Sequence, residues 1–351
     1  MTRRRNKPVD LRRLAVALLV SAAVLAAGLH GSDTTAADLG RHLLWPLAQL
    51  MGTIALGLVV GQVIEATGWT RGLAVLARPL FRFGRLGDRC GAAFTAAFAS
   101  GVAANAMLQG FYAEGKISRT QLFLANFVNQ LPAFFLHLPT TFFTVMALTG
   151  RAGALYFALT LAAALGRTFL LLLYGRWRLP PEPAAAPAAA AGAPRRADVS
   201  GIWGTLRDRL PAALTRIGVY VVPIYTAVFV LNRLGAFALL RDWMTRHIVT
   251  AVVPVESLSL VVLGFTAEFT SGFATAGALQ DAGMLDVRQT VLALLAGNVL
   301  AFPLRALRHQ LPHYMGIYAP RTGLQILALG QMLRVLSLVG VGVVFYWAYG
   351  C

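Results

Sequence analysis

Glu268 is the residue whose type and position most call for chemistry. It stands inside L-G-F-T-A-E-F-T-S-G, far from any other charge along the chain. A carboxylate in so apolar a run is costly unless paired, protonated or hydrated, so it reads as a functional group. The bland alternative is a structural ion pair with Arg334, which sits mid-run in L-G-Q-M-L-R-V-L-S. Arg334 and Arg167, the latter in A-L-G-R-T-F, each offer a planar fork that suits an anionic group or a backbone carbonyl. The amides Asn126, Asn129, Gln130 and Asn298 all stand shortly before prolines. An amide both donates and accepts, so it can replace water around a polar solute, or do no more than cap a helix or join two helices. Ser100 and Ser271, each followed by glycine, would let a helix unwind and expose its end dipoles to a ligand, or serve only as a close-packing surface. His137, His309, Gln310 and His313 could ligate a metal only if they converged, and His309 and His313 straddle Pro312, which disturbs helical spacing. No metal is expected. There is no nucleophile-base-acid set, no phosphate loop and no H-E-x-x-H, so neither an enzyme nor a cofactor is expected.

The elements that must position these residues are membrane helices. Of 351 residues 57% are hydrophobic and only 13% charged, with a mean hydropathy of +0.65. That leaves too little polar surface for a soluble globule and implies an all-α polytopic membrane protein. The formal charge of +17 comes from arginines gathered between apolar runs. This placement suits cytoplasmic loops against anionic lipid, and no zinc-finger spacing or basic-aromatic module points to nucleic acid. The expected partners are therefore the bilayer and a small polar solute, with homo-oligomerisation also open. Cys90 and Cys351 are too few for a disulfide framework.

Residues 1–42 hold a basic N-terminus and an apolar run from Leu14 to Gly31, read as an uncleaved first helix with its N-terminus inside rather than a signal peptide. Spans follow at Leu43 to Ala66 and Cys90 to Phe111, the second with a break at Ser100 and Gly101. Between them Gly68 to Arg89 carries five arginines on a surface-lying helix. Gln121 to Thr149 is read as a re-entrant hairpin bent near Pro132 and Pro139, because a full crossing would put Arg176, Arg178, Arg195 and Arg196 outside. Ala152 to Gly175 then crosses. A Pro/Ala-rich linker occupies 179–200.

Residues 201–351 repeat the plan of 43–178. Ile202 to Leu214 reads as a surface helix, and spans follow at Thr215 to Leu234, Val255 to Gln280 and Thr322 to Tyr349, with a hairpin from Gln289 to Tyr318 around Pro303 and Pro312. Ser100-Gly101 aligns with Ser271-Gly272, Asn126 with Asn298, Pro132 with Pro303 and Arg167 with Arg334; Glu268 aligns with Ala97. Three crossings and one hairpin per half is an odd count, so the repeats are expected to be inverted.

The Ser-Gly break, the glycine-initiated polar turns and the N-x-x-(N/A)-x-(L/F)-P arms, all duplicated, resemble the nucleoside-recognition, or Gate, family. That family includes spore maturation proteins A and B and related segments of nucleoside and ferrous-iron transporters. The resemblance implies a transport-like core and carries over no substrate. The expected function is an inner-membrane transporter of a small polar solute, working by alternating access. The alternative is a non-transporting membrane assembly or scaffold protein of the spore-maturation type.

Overall fold

The computed structural model describes residues 11–30, 34–66, 77–181, 199–236, 239, 242–243 and 269–349; the linker at 182–198, residues 255–268 of the expected span Val255 to Gln280, and with them Glu268, lie outside. The described residues are helical, with no strand among them. Among the described residues, five helices are long and apolar enough to cross a membrane: Leu11–Gly28, Val145–Arg178, Leu210–Arg233, Val287–Tyr318 and Pro320–Ala348. The last keeps Leu336, Val343, Val344 and Trp347 exposed. An exposed apolar stripe of that length is what lipid, not water, accommodates. The chain is a multi-pass all-α membrane protein.

Prolines set the local geometry. A proline cannot donate to the carbonyl four residues back and its ring crowds that carbonyl. Helix α1, Leu11–Gly28, is followed by α2, Ala36–Leu39, a π turn at Gly40–Leu44, and α3, Trp45–Ala66. Pro46 stands two residues beyond that π turn, which shifts the hydrogen bonding around His42 and lets the helix continue. Thr35 caps this run, and the Asp38 carboxylate accepts from the Thr35 hydroxyl at 2.9 Å and its N–H at 3.2 Å. Those bonds, with Arg233 at 3.4 Å, hold the Asp38 carboxyl below its usual range.

Two short helices come next: α4, Asp88–Ala97, and α5, Gly101–Ala113. Between them Ser100 is extended, and its hydroxyl accepts from the Ala103 N–H at 3.2 Å, so the expected break is present and the serine caps the new helix. The break is a reversal. Gln121 Nε2 donates to the Leu86 carbonyl at 3.2 Å, placing the chain before α4 beside the chain after α5. A straight helix over 88–113 would separate its ends by roughly 39 Å. Residues 88–113 are therefore a helical hairpin whose arms of 10 and 13 residues reach roughly 15 and 20 Å.

This corrects the hairpin placed at Gln121 to Thr149. There the chain runs as α6, Arg119–Val128, and α7, Gln130–Arg178, without reversing at Pro132 or Pro139. Asn129 interrupts the helix, so Pro132 falls in the first turn of α7, where no N–H is needed. The chain turns back at Gly150, which has φ 48° and ψ −122°. Phe142 and Phe157, on either side of it, pack at 5.3 Å between ring centroids.

The described part of the second half also contains a reversal between two long helices. After α8, Val199–Arg233, the described chain resumes with α9, Phe269–Asp281, and α10, Val287–Arg305. A π turn at Ala306–Gln310 precedes Pro312 and leads into α11, Leu311–Tyr318, so neither Pro303 nor Pro312 bends the chain into a hairpin. Reversal comes at Ala319, with φ 67°, before α12, Pro320–Ala348. Gln331 Nε2 meets Gln310 Oε1 at 3.3 Å across that turn. The surface helix and span expected between Ile202 and Leu234 are one continuous helix, α8, with Pro211 and Pro223 inside it.

The entry to each long hairpin is capped alike. Ser118 with Gln121, and Asp286 with Gln289, each form reciprocal side-chain and backbone bonds. Ser118→Ala and Asp286→Ala should each cost about 1 kcal/mol. Chemical denaturation of the purified protein would show it; no change in either variant would mean that these caps do not hold the helices.

The structure groups into two compact units. The first takes in the described residues of Met1–Ala133, Leu170–Leu234 and Leu311–Ile326, and the second those of Phe134–Phe169, Gly235–Gln310 and Leu327–Cys351. The second has a core of Val145, Tyr156, Phe157, Phe273, Leu294, Leu295 and Leu338.

Candidate functional sites in the two units

In the first unit a group of amides is buried where a membrane helix would ordinarily carry apolar side chains. Asn126 Nδ2 donates to Asn105 Oδ1 at 2.8 Å and to the Tyr318 hydroxyl at 2.9 Å. Asn126 comes from α6, Asn105 from the hairpin arm α5, and Tyr318 from the end of α11. Tyr314, one turn back, faces the same two amides. Asn126 is 1% exposed and its Oδ1 accepts nothing among the described residues. Three residues on, Asn129 is 6% exposed, and neither its Oδ1 nor its Nδ2 has a partner there.

Local sequence explains why Asn129 is unengaged. It occupies the N-cap of α7, where an asparagine would usually bond the N–H two or three residues ahead. The third residue ahead is Pro132, which has no N–H, and no capping bond forms. Each unmatched buried polar atom costs about 1–3 kcal/mol, and more than nine in ten such groups in folded proteins find a partner. Three such atoms on neighbouring turns make a surface for something that can both donate and accept.

In the second unit the repeat counterpart Asn298 is also buried, and its Nδ2 donates to the Tyr156 hydroxyl at 2.6 Å. Its Oδ1 too accepts nothing among the described residues. Phe302 and Arg305 follow on the same face of α10, four and seven residues along. The Arg334 guanidinium lies over the Phe302 ring, 3.2 Å from its centroid. Arg334 is close enough to Arg167, Arg305 and Tyr156 for their charges and dipoles to act on it. Arg167 donates to the Ser337 hydroxyl at 3.0 Å, and its Nε is buried without a partner among the described residues. An arginine mid-helix in a membrane costs about 2.5–3.5 kcal/mol even on the most lenient scale. Here Arg167 and Arg334 stand together, and neither meets a described carboxylate.

Of the residues singled out in the sequence, then, Arg167, Arg334 and Asn298 come together in one unit, and Asn126 and Asn129 in the other. Gln130 is half-buried beside Asn129, and Ser100 is engaged as a cap. Ser271 lies in the helical backbone of α9. Glu268, and with it the ion pair to Arg334, falls outside the described residues. Sequence reading missed Asn105, Tyr156, Tyr314, Tyr318 and Arg305. A tyrosine in an apolar run reads as core or interface, and the signal that could have found these three is a hydroxyl within a few residues of each turn.

No known family profile matches the chain, and no solved structure matches it. Three uncharacterised proteins of Methanocaldococcus jannaschii are similar to it. One is 22% identical over 290 residues, covering 81% of this chain and 89% of that protein. A second is 19% identical over 301 residues (83% and 94%), and a third 21% over 277 residues (78% and 84%). Matches of that extent exceed either half of the chain, so they take in parts of both halves.

Proposed function

We propose that the protein is a cytoplasmic-membrane transporter of a small polar solute, working by alternating access between the two halves of its duplication. The observation that carries this reading is the buried pair Asn126 and Asn129, whose three unmatched polar atoms present both donors and acceptors. A protein that only holds helices together has no use for amides whose bonding capacity is left over. A solute with adjacent donor and acceptor groups, such as a nucleobase or an amide, complements them. The sequence resemblance to the Gate family agrees with this chemistry.

The relocated hairpin supports the inverted arrangement. If residues 88–113 dip into the bilayer and return, α3 and the helices on either side of Gly150 supply three crossings. Leu210–Arg233, Val287–Tyr318 and Pro320–Ala348 supply three in the second half. The count stays odd, and Arg176 and Arg178 return to the side of the 77–89 arginines, as the positive-inside trend requires. The N-terminus is then cytoplasmic.

The test is counterflow in proteoliposomes loaded with neutral nucleosides and small amides. Saturable exchange above that of empty liposomes is the expected result. Folded protein that exchanges none of them supports the scaffold reading instead. In the same assay Glu268→Gln is expected to flatten the pH dependence of flux; an unchanged profile removes Glu268 from proton coupling.

A further inference from the structure

The two amide sites are built alike and differ in charge. Around Asn126 and Asn129 the polar groups are amides and tyrosines; around Asn298 they include the guanidiniums of Arg167, Arg305 and Arg334. We propose that the second unit holds an anion-binding site in which Arg167, Arg334 and Asn298 take a carboxylate or phosphate group of a solute. It is a second site, distinct from the amide pair.

Three observations support this. Arg334 has one face covered by Phe302, which fixes the plane of the guanidinium and leaves its N–H edges as the binding edge. Arg334 donates to nothing among the described residues, and Arg167 uses one bond, to Ser337, with its Nε unmatched. Asn298, 9% exposed, gives one Nδ2 hydrogen to Tyr156 and keeps its second for an anion, while its unmatched Oδ1 can accept from a phosphate O–H on the same group of side chains. Like charges held together in a low-dielectric setting repel, and an anion between them relieves the repulsion. Two N–H forks from different helices suit a planar carboxylate or a tetrahedral phosphate.

The anion belongs to a solute and not to a lipid headgroup because of depth along the helices. Arg334 lies 14 residues after Pro320, roughly 21 Å along α12, and Arg167 lies 16 residues after Arg151, roughly 24 Å along its helix. Both stand mid-span, where headgroups do not reach.

The experiment is thermal unfolding of the full chain in detergent at constant ionic strength, with inorganic phosphate, succinate or uridine 5′-monophosphate, each against neutral uridine. At least one anion is expected to raise the midpoint by about 3 °C or more at saturation. Arg334→Gln and Arg167→Gln should abolish that rise, and Arg334→Lys should weaken it. Size-exclusion profiles and the uridine response establish that the variants are folded. The proposal is overturned if no anion shifts the midpoint, or if the shift survives both Gln variants. It is equally overturned if the shift appears only in Glu268→Gln, since Glu268 then occupies the site in the native chain. In phosphatidylcholine nanodiscs the soluble anion should still act; a response to added phosphatidylglycerol alone would assign the arginines to lipid. Anion binding without counterflow leaves this site standing and removes the transport reading. Counterflow of neutral solutes without anion binding does the reverse.

Discussion

Gly323→Val is expected to abolish accumulation of folded protein. The reversal at Ala319 brings the first turns of α12 back against α11 so closely that a β-carbon at 323 would overlap the Tyr314 carbonyl and lie 2.7 Å from Met315 Cα. These are backbone atoms, so no side chain can rotate away, and relief requires the hairpin to open. A loss beyond about 4 kcal/mol is the scale of such a clash, against a total stability of roughly 5–15 kcal/mol. Gly340→Ala provides the control, because nothing lies within 4 Å of a β-carbon there. Detergent-extracted yield and size-exclusion profile report the result, and wild-type behaviour of Gly323→Val would refute this geometry of the turn. At the turn around Gly150, a β-carbon at 153 would lie 3.1 Å from the Val145 carbonyl oxygen and nearer still to the Thr149 hydroxyl, a side-chain and not a backbone atom, so Gly153→Ala should be milder.

The second large effect is on flux and not on stability. Asn126→Leu removes an amide of 1% exposure together with its unmatched oxygen, and leaves Asn105 Oδ1 and the Tyr318 hydroxyl each short of one donor. Gain in apolar burial offsets that loss, and side-chain hydrogen bonds between membrane helices average only about 0.6 kcal/mol. The unfolding midpoint should therefore move by no more than about 5 °C. Transport should fall by about tenfold or more, which corresponds to about 1.4 kcal/mol, the loss of one good solute bond. Tyr318→Phe, which spares the amide but frees one of its hydrogens, should lie between. Undiminished exchange in Asn126→Leu would take the amide pair out of the solute path.

Much of this was legible in the sequence. The membrane class follows from composition, and the Ser100 break and the polar turns at Gly115 and Gly283 stand where Gly and Ser-Gly placed them. The sequence alignment pairs Asn126 with Asn298, and each of these amides donates to a tyrosine hydroxyl. What misled was the prolines. They read as bends because they break hydrogen-bond ladders, yet a helix tolerates proline in its first turn, as at Pro132, or after a π turn, as at Pro46 and Pro312. The real reversals at Gly150 and Ala319 need only one residue of positive φ, and the alanine carries no sequence mark of it. The arginine asymmetry asks for one re-entrant segment in the first half, and the Leu86–Gln121 bond makes 88–113, not Gln121 to Thr149, the helical hairpin there. The tyrosines were illegible for another reason. Their partners are 142 and 192 residues away, beyond the reach of any local pattern.

That distance has a consequence for how the chain is made. Asn126 of the first half is bonded by Tyr318, beside the last turn of the second, and Asn298 is bonded by Tyr156 of the first. Neither half can complete its own polar interior from its own residues. At ribosomal speeds of about 5–20 residues per second, the bond from Asn126 waits roughly 10 to 40 s for Tyr318 to be synthesised. During that interval the first half sits in the translocon or the bilayer as an unfinished product, and a nascent chain cut short before Tyr318 leaves Asn126 without that bond. The Asn126–Tyr318 bond is thus made late, and only by a chain synthesised past Tyr318.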